Sequence, residues 1–355
     1  MKVSMPYGRA HGWGIAGEYL SREIEALPPL EGVTLHCMTG HDLQPFDPDR
    51  WDRINIGYCF FEDAISVQAH ARAAGEKWDM IVTGSRWCEY QLRTAGVRNC
   101  TTILQGVDGD NFYPGPKHVY HDRFVVFSGG KFEIRKGQDL VIAAMREFMA
   151  RHGDVLLSCA WYNQWPHSMA TMELSHHISY RHRDGECSRI LANILVENGI
   201  PPERVILHPP QDNSLMGRVY LDSDIGVFPN RCEGGNNMVM CEYMACGRPV
   251  IASDMTGHND VITTENAFPL TRYTPRYYRH YAEGVWFEPE PDELVSLLEH
   301  AYGCRDERRT KGLRGAVDMA RLSWKEAARR FHAIGKGLLR QSAAENRGRD
   351  LPNPV

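Results

Sequence analysis

The chain has 355 residues, 43% of them hydrophobic and 24% charged, with a formal net charge of -5. That length allows two domains of ordinary size, and the absence of a basic tail or charge block argues against a nucleic-acid partner. No stretch is long and apolar enough to span a bilayer, which leaves at most peripheral membrane contact.

The chain opens on a strand-like Met1-Lys-Val-Ser-Met-Pro6 with no signal-peptide pattern, so a cytoplasmic location is expected. The ten cysteines form no Cys-x-x-Cys pair and the sixteen histidines no ligand spacing, so no metal is expected and the thiols read as free. Strand-like segments at 2–5, 33–38, 54–60, 80–83 and 101–104 alternate with helix-like segments at 15–27, 64–74 and 87–94. Alternation of this kind predicts a parallel sheet with helices on both faces. Pro114-Gly-Pro-Lys117 reads as a linker. A second alternating set runs from 124, through helix 139–151, strand 155–160, helix 189–198, strand 204–207 and helix 214–222. The pattern is lost between 161 and 186, where a plain surface excursion is the expectation, with a lid or acceptor contact as the alternatives. From Pro291 the chain is mainly helical, with Trp324, Ala328, Phe331, Ile334 and Leu338 on one stripe.

Three segments carry chemistry. Gly12-Trp-Gly-Ile-Ala-Gly17 follows the first strand and precedes a helix, so the N–H groups near Gly12 and Gly14 can face a phosphate. This pattern also fits an NAD-dependent oxidoreductase, for which Asp42 is the nearest acidic partner after the second strand. Ser128-Gly-Gly-Lys-Phe-Glu-Ile-Arg-Lys-Gly137 places Gly130 and two cations, Lys131 and Lys136, on a strand-to-helix loop, where they can neutralise a diphosphate; Arg135 reads as solvated. The run 228–253 reads as strand, glycine-bearing turn, helix, turn and strand. Glu233, Gly234 and Gly235 form the turn, Asn236 or Asn237 can cap the helix, and Glu242 lies about two and a half turns into it.

The last segment resembles the donor motif of family-4 glycosyltransferases, which have the GT-B fold. Eight residues separate Glu233 from Glu242 where the family has seven, while Tyr243-Met-Ala-Cys-Gly-Arg-Pro-Val-Ile251 fits without a gap. Thr83-Gly-Ser-Arg-Trp87, Gln105-Gly-Val-Asp108, Asn111-Phe-Tyr-Pro114 and Ser323-Trp324 add to the resemblance. It implies two Rossmann-like α/β domains with parallel sheets facing across a cleft. The first would span 1–116, short for the family and completed by a C-terminal helix 323–341 that crosses back to it; the second, 117–322, would bind the donor.

The implied activity is transfer of a sugar from a nucleotide-diphosphate sugar (UDP- or GDP-sugar) to an acceptor hydroxyl, with retention of configuration. No permanently bound cofactor is expected, and the acceptor is a glycan, a lipid-linked or a small molecule. The resemblance assigns Glu242 to the ribose, Glu233 to the sugar hydroxyls and Lys131 and Lys136 to the diphosphate, with backbone N–H groups at Gly234, Gly235, Asn236 and Asn237 assisting. Within the second domain, the side chains that choose the base are expected near Trp161 and 208–211. Glu62 and Asp63, at the tip of the mid-domain strand, either orient the acceptor or cap the next helix. A catalytically silent member that only binds nucleotide sugar is the remaining alternative.

Overall fold

The computed structural model describes residues 1–8, 11–183, 185–278 and 282–349. The chain divides into two compact units. One is Met1–Gly106 together with the segment from Ser323, and the other is Val107–Leu322.

The first unit runs β1 (Lys2–Ser4), α1 (Gly12–Glu25), β2 (Val33–Cys37), β3 (Ile54–Cys59), α2 (Ala64–Lys77), β4 (Met80–Thr83), α3 (Arg86–Thr94) and β5 (Cys100–Thr102). The five strands pair in chain order, all parallel. Alternation along β3 sends its neighbouring side chains to opposite faces. Tyr58 packs between Trp13 of α1 and Phe331 of the C-terminal helix (Trp324–Arg349). Cys59 joins the cluster built by α2 and α3, with Val67, Ala71, Cys88 and Leu92. Helices therefore cover both faces, and the inner strands β2 and β3 are buried along their length. On the stripe of the C-terminal helix, Trp324, Ala328 and Phe331 are buried, while Ile334 and Leu338 are only half-buried.

The second unit continues with β6 (Phe124–Gly130), α4 (Gln138–Arg151), β7 (Val155–Trp161), α5 (Cys187–Glu197), β8 (Val205–Leu207), α6 (Met216–Leu221), β9 (Ile225–Phe228), α7 (Met238–Ala245) and β10 (Val250–Ser253). It ends with β11 (Ala267–Leu270), β12 (Tyr273–Tyr277), β13 (Val285–Pro289), α8 (Pro291–Gly303) and α9 (Arg305–Met319). The sheet order is β11-β10-β9-β6-β7-β8, all parallel, and β12 with β13 forms an antiparallel hairpin. From β6 the chain winds outward through β7 and β8, then returns to β9 and winds the other way. The strand order therefore reverses between β6 and β9, and in open α/β sheets the loops after such strands frame the ligand crevice. The two loops at that point are 131–137 and 229–237.

β11 to β13 were not legible in the sequence. β11 is four residues long, and the hairpin's Tyr273-Thr-Pro-Arg-Tyr277 carries a proline. Proline is tolerated there because the pair is a two-stranded ribbon with edges. All ten cysteines are free thiols, most of them buried, and no described helix is long and apolar enough to cross a membrane.

Candidate active site

The loop after β6 makes a 3₁₀ turn, Ile134–Lys136, and enters α4 through Gly137 in the left-handed conformation (φ 75°). This short path carries Lys131, Glu133, Arg135 and Lys136. Lys136 Nζ lies 2.5 Å from Glu233 Oε2 on the loop after β9. Arg135 bridges two carboxylates, with Nη2 2.7 Å from Glu133 Oε1 and Nη1 3.3 Å from Glu233 Oε2. Lys131 Nζ sits 3.2 Å from Glu133 Oε2. Asn230 Nδ2 donates to Glu233 Oε2 at 2.7 Å. Three cations thus meet two carboxylates, leaving a positive excess at the switch point. Arg135, read from sequence as solvated, is buried. Its side chain turns inward because two buried carboxylates and the Cys232 carbonyl accept its N–H groups.

Burial raises the Glu233 carboxyl, but the Lys136 ammonium and the Arg135 guanidinium outweigh it and hold Glu233 well below the usual carboxylate range. Lys136 is lowered by burial, with Glu233 working against that. Arg135, Lys136 and Glu233 therefore form an ion-paired set with little exposure to solvent.

The turn itself is held from the other side by the 3₁₀ segment Thr256–Asp260. Thr256 Oγ1 accepts the Glu233 N–H at 2.9 Å, and Gly257 N–H donates to Glu233 O at 2.9 Å. A Cβ on Gly257 would stand 1.8 Å from the Gly235 carbonyl oxygen, so only glycine allows this approach. His258 is fully buried. Its Nδ1 faces the Ser253 carbonyl at 3.2 Å and its Nε2 faces Asn237 Nδ2 at 3.0 Å, an arrangement that suits the neutral ring with its proton on Nδ1. Burial lowers this imidazole to about 4.

Asn237 stands at the N-cap of α7, but its side chain makes no capping bond and points instead to His258. It adopts a left-handed backbone (φ 56°), rare for a residue other than glycine. The extra residue between the two glutamates falls on this turn. Gly234, Gly235, Asn236 and Asn237 are all buried. Glu242 is the fifth residue of α7, little more than one turn in rather than two and a half. Asn213 Nδ2 donates to its Oε1 at 2.9 Å and the Tyr220 hydroxyl to its Oε2 at 3.1 Å. Burial pushes its carboxyl up to about 8, with those two hydrogen bonds pulling the other way.

Behind the cationic loop lies a second buried network. Arg231, with no exposed side-chain surface, makes a bidentate pair with Asp139 at 2.8 and 2.7 Å and reaches Glu288 through Nε at 2.9 Å. Glu288 also receives the Tyr278 hydroxyl, Arg276 and His177, each at 3.1 Å. Ser175 Oγ donates to Asp139 Oδ2 at 2.7 Å. His177 and Ser175 belong to the stretch 161–186, of which residue 184 lies outside the described residues. That stretch is not a plain surface excursion. Asn163 holds both the N–H and the carbonyl of Phe132, Thr171 Oγ1 accepts the Ile134 N–H at 3.1 Å, and Met169 and Met172 are buried. It clamps the loop that carries Lys131 to Lys136. Trp161, considered as a base contact, is instead a core residue that is 2% exposed and donates to Ser128 Oγ.

In the first unit, Gly12 begins α1 and is exposed, while Gly14 is buried and its N–H donates to His11 Nδ1 at 3.1 Å. A Cβ on Gly14 would lie 2.1 Å from the Gly8 carbonyl oxygen, and one on Gly17 2.1 Å from that of Pro6. These two glycines let the strand-to-helix loop pack on its own helix, a use that needs no phosphate. Asp42, the acid a nicotinamide cofactor would want, is engaged in the 39–44 turn with Thr39 and the Gln44 N–H. Asp63 caps α2, accepting from the N–H groups of Ile65 and Ser66 and from the Ser66 hydroxyl. Glu62 is half-buried beside it. Asn230, Arg231, Thr256 and His258 were missed in the sequence. Asn230 and Arg231 directly precede Cys232-Glu233 and were readable as part of that turn, whereas Thr256 and His258 come from a separate loop whose approach only the fold reveals.

A parallel sheet thus carries a cationic loop and a glutamate turn at its switch point, an arrangement suited to an anionic ligand. Residues 122–284 match the model of the glycosyl transferases group 1. The fold as a whole is GT-B. The chain is similar to sucrose-phosphate synthase of Thermosynechococcus elongatus (TM-score 0.65, 18% identity, covering 92% of this chain and 79% of that one). It is also similar to a glycosyltransferase of Rickettsia africae (TM-score 0.61, 13% identity, 94% and 84%). A third likeness is to HepE of Anabaena in complex with UDP (TM-score 0.59, 15% identity, 80% and 72%). No curated protein matches by sequence.

Proposed function

We propose that this chain moves a sugar from a nucleotide-diphosphate sugar to an acceptor hydroxyl with retention of configuration. The observation that carries the reading is the Lys131–Arg135–Lys136 loop, held against Glu233 at the switch point of the second sheet. In this reading Lys136 and Lys131, helped by Arg135, stabilise the charge that develops on the leaving diphosphate. Because Arg135 and Lys136 are already shielded from solvent and oriented, little reorganisation accompanies the reaction. Glu233 orients the sugar hydroxyls, its remaining lone pairs facing the donor while Lys136 and Asn230 fix its plane. Glu242, aimed by Asn213 and Tyr220, accepts the ribose hydroxyls. Backbone N–H groups of 234–237 at the start of α7, together with Gly130, border the phosphates.

Retention fits a same-face substitution. The bond from the anomeric carbon to the phosphate oxygen breaks, the bond to the acceptor oxygen forms on the same face, and the acceptor proton passes to the departing phosphate. A structure of similar fold, trehalose-6-phosphate synthase, is described as transferring with retention (TM-score 0.64, 13% identity). UDP- and GDP-sugars are the donor candidates, and the HepE complex with UDP favours testing UDP first. The acceptor is a glycan, lipid-linked or small-molecule hydroxyl.

The test is a thermal-shift screen against UDP, GDP, ADP, TDP, CMP and NAD, followed by product analysis with the sugar donor of whichever nucleotide stabilises the protein. A shift with one nucleoside diphosphate and a product of unchanged anomeric configuration are expected. A shift with NAD alone refutes the reading, and tight nucleotide binding without transfer or donor hydrolysis turns it into that of a silent binder.

A further inference from the structure

At the opposite end of the second sheet, where β6, β9 and β10 begin, lies a concavity of about 670 Å³. That volume falls in the range of small-molecule sites. It is lined by six cationic side chains, Lys117, Arg123, Arg248, Arg305, Arg308 and Arg309, and by three carboxylates, Asp122, Asp154 and Asp224. The surplus is positive in a chain whose net charge is -5.

Part of this charge is structural. Lys117 Nζ pairs with Asp224 at 2.7 Å, and Asp154 accepts the Tyr302 hydroxyl at 3.0 Å. Arg308 Nη1 donates to the carbonyls of Ala301 and Tyr302 at the end of α8. Arg248 Nη2 donates to the Gly115 and Leu221 carbonyls at 3.1 and 2.5 Å. Arg123 Nε pairs with Asp122 at 3.6 Å, and the other two cations are uncommitted. Arg305 and Arg309, four residues apart and so on one face of α9, make no hydrogen bond or ion pair among the described residues. Arg248 Nε is shielded from solvent and also has no hydrogen-bond partner.

We infer that this concavity binds a small phosphorylated molecule, at a site separate from the switch-point site. Guanidinium groups present paired N–H donors that match phosphate oxygens. Arg305 and Arg309 supply the charge, while Tyr302 and Leu313 offer apolar surface to the rest of the ligand. The linker residues Pro114, Gly115 and Lys117 form one wall, so occupancy would bear directly on the segment that enters β6.

The test is calorimetric titration of the full chain with pyrophosphate. Binding is expected that Arg305→Ala/Arg309→Ala weakens at least tenfold and Lys131→Ala leaves in place. The double variant replaces two exposed side chains, so its melting temperature and its affinity for nucleoside diphosphate should stay at wild-type values. Arg305→Lys/Arg309→Lys, which keeps charge and loses the fork, should fall between. Pyrophosphate binding that ignores the double variant, or that disappears with Lys131→Ala alone, overturns the inference. Binding seen only with long-chain polyphosphate overturns the small-molecule assignment.

Discussion

Lys136 and Glu233 come from loops 97 residues apart and meet at 2.5 Å, both with little exposed surface. The pair ties the loop after β6 to the loop after β9 across the point where strand order reverses. Replacing Lys136 by alanine leaves Glu233 with Arg135 and Asn230, so the carboxylate stays partnered and the fold should survive. Turnover should drop by about 10²–10³, the scale for losing one preorganised electrostatic donor. Lys136→Arg should recover part of it. Steady-state rates with folding checked by circular dichroism decide the matter, and wild-type turnover in Lys136→Ala would remove Lys136 from the diphosphate.

How much of this site was legible in the sequence depended on whether a residue's partner lay nearby in the chain. Lys131, Lys136, Glu233 and Glu242 sit on strand-to-helix connections, and periodicity alone places such connections at one sheet edge. Arg135 looked like any basic residue on a turn, because the buried Glu133 and Glu233 that draw it inward lie on both its own loop and another. Likewise the stretch 161–186 lost all periodicity, since it is shaped by hydrogen bonds from Asn163, Thr171 and Ser175 to the 132–139 segment rather than by a helical or strand face. The fingerprint at 12–17 had the spacing of a phosphate loop, yet Gly14 and Gly17 are explained by close packing on Gly8 and Pro6. Spacing records where a side chain must be missing, not what approaches.

Arg231 anchors Asp139 and Glu288 with no access to water. Arg231→Leu would leave two buried carboxylates without their main counter-charge, a loss of about 3–5 kcal/mol. Because Asp139 begins α4 and Ile134 O accepts from Arg231, the cationic loop should loosen as well. Chemical denaturation should show a large fall in midpoint. A change below about 1 kcal/mol would mean that His177, Arg276 and Tyr278 already suffice for Glu288.

His258 gives the second unit a definite acid response. Its folded value, about 4, lies below the ordinary 6.5, so the unfolded chain takes up the proton first. The stability it contributes is complete above about pH 6.5 and is lost as pH falls toward 4. Glu233, also lowered, adds a further loss below the ordinary carboxylate range. Melting temperatures recorded from pH 7.5 to 4 should fall across that window, and His258→Gln, which keeps donor and acceptor capacity without titrating, should flatten the upper part. An unchanged slope in His258→Gln would assign the acid response elsewhere.

Glu242 reverses that sign. Its carboxyl is raised to about 8 by burial, so it is largely protonated at pH 7 in the free protein. A folded value above the unfolded one means that its contribution to stability is complete below about 4.5 and is lost as pH rises through 8. Glu242→Gln should therefore be more stable than wild type at pH 8, the difference vanishing near pH 4. If ribose hydroxyls donate to this carboxyl, they favour its ionised form. Nucleotide affinity should then rise from pH 6 to pH 8, with a proton released on binding near pH 7. Calorimetry in buffers of different ionisation enthalpy measures that proton directly. Glu242→Gln should bind nucleotide about tenfold to a hundredfold more weakly, the scale of a lost charged hydrogen bond, and should release no proton. Equal affinity in the variant, or a proton released by it as in wild type, would take the ribose role away from Glu242.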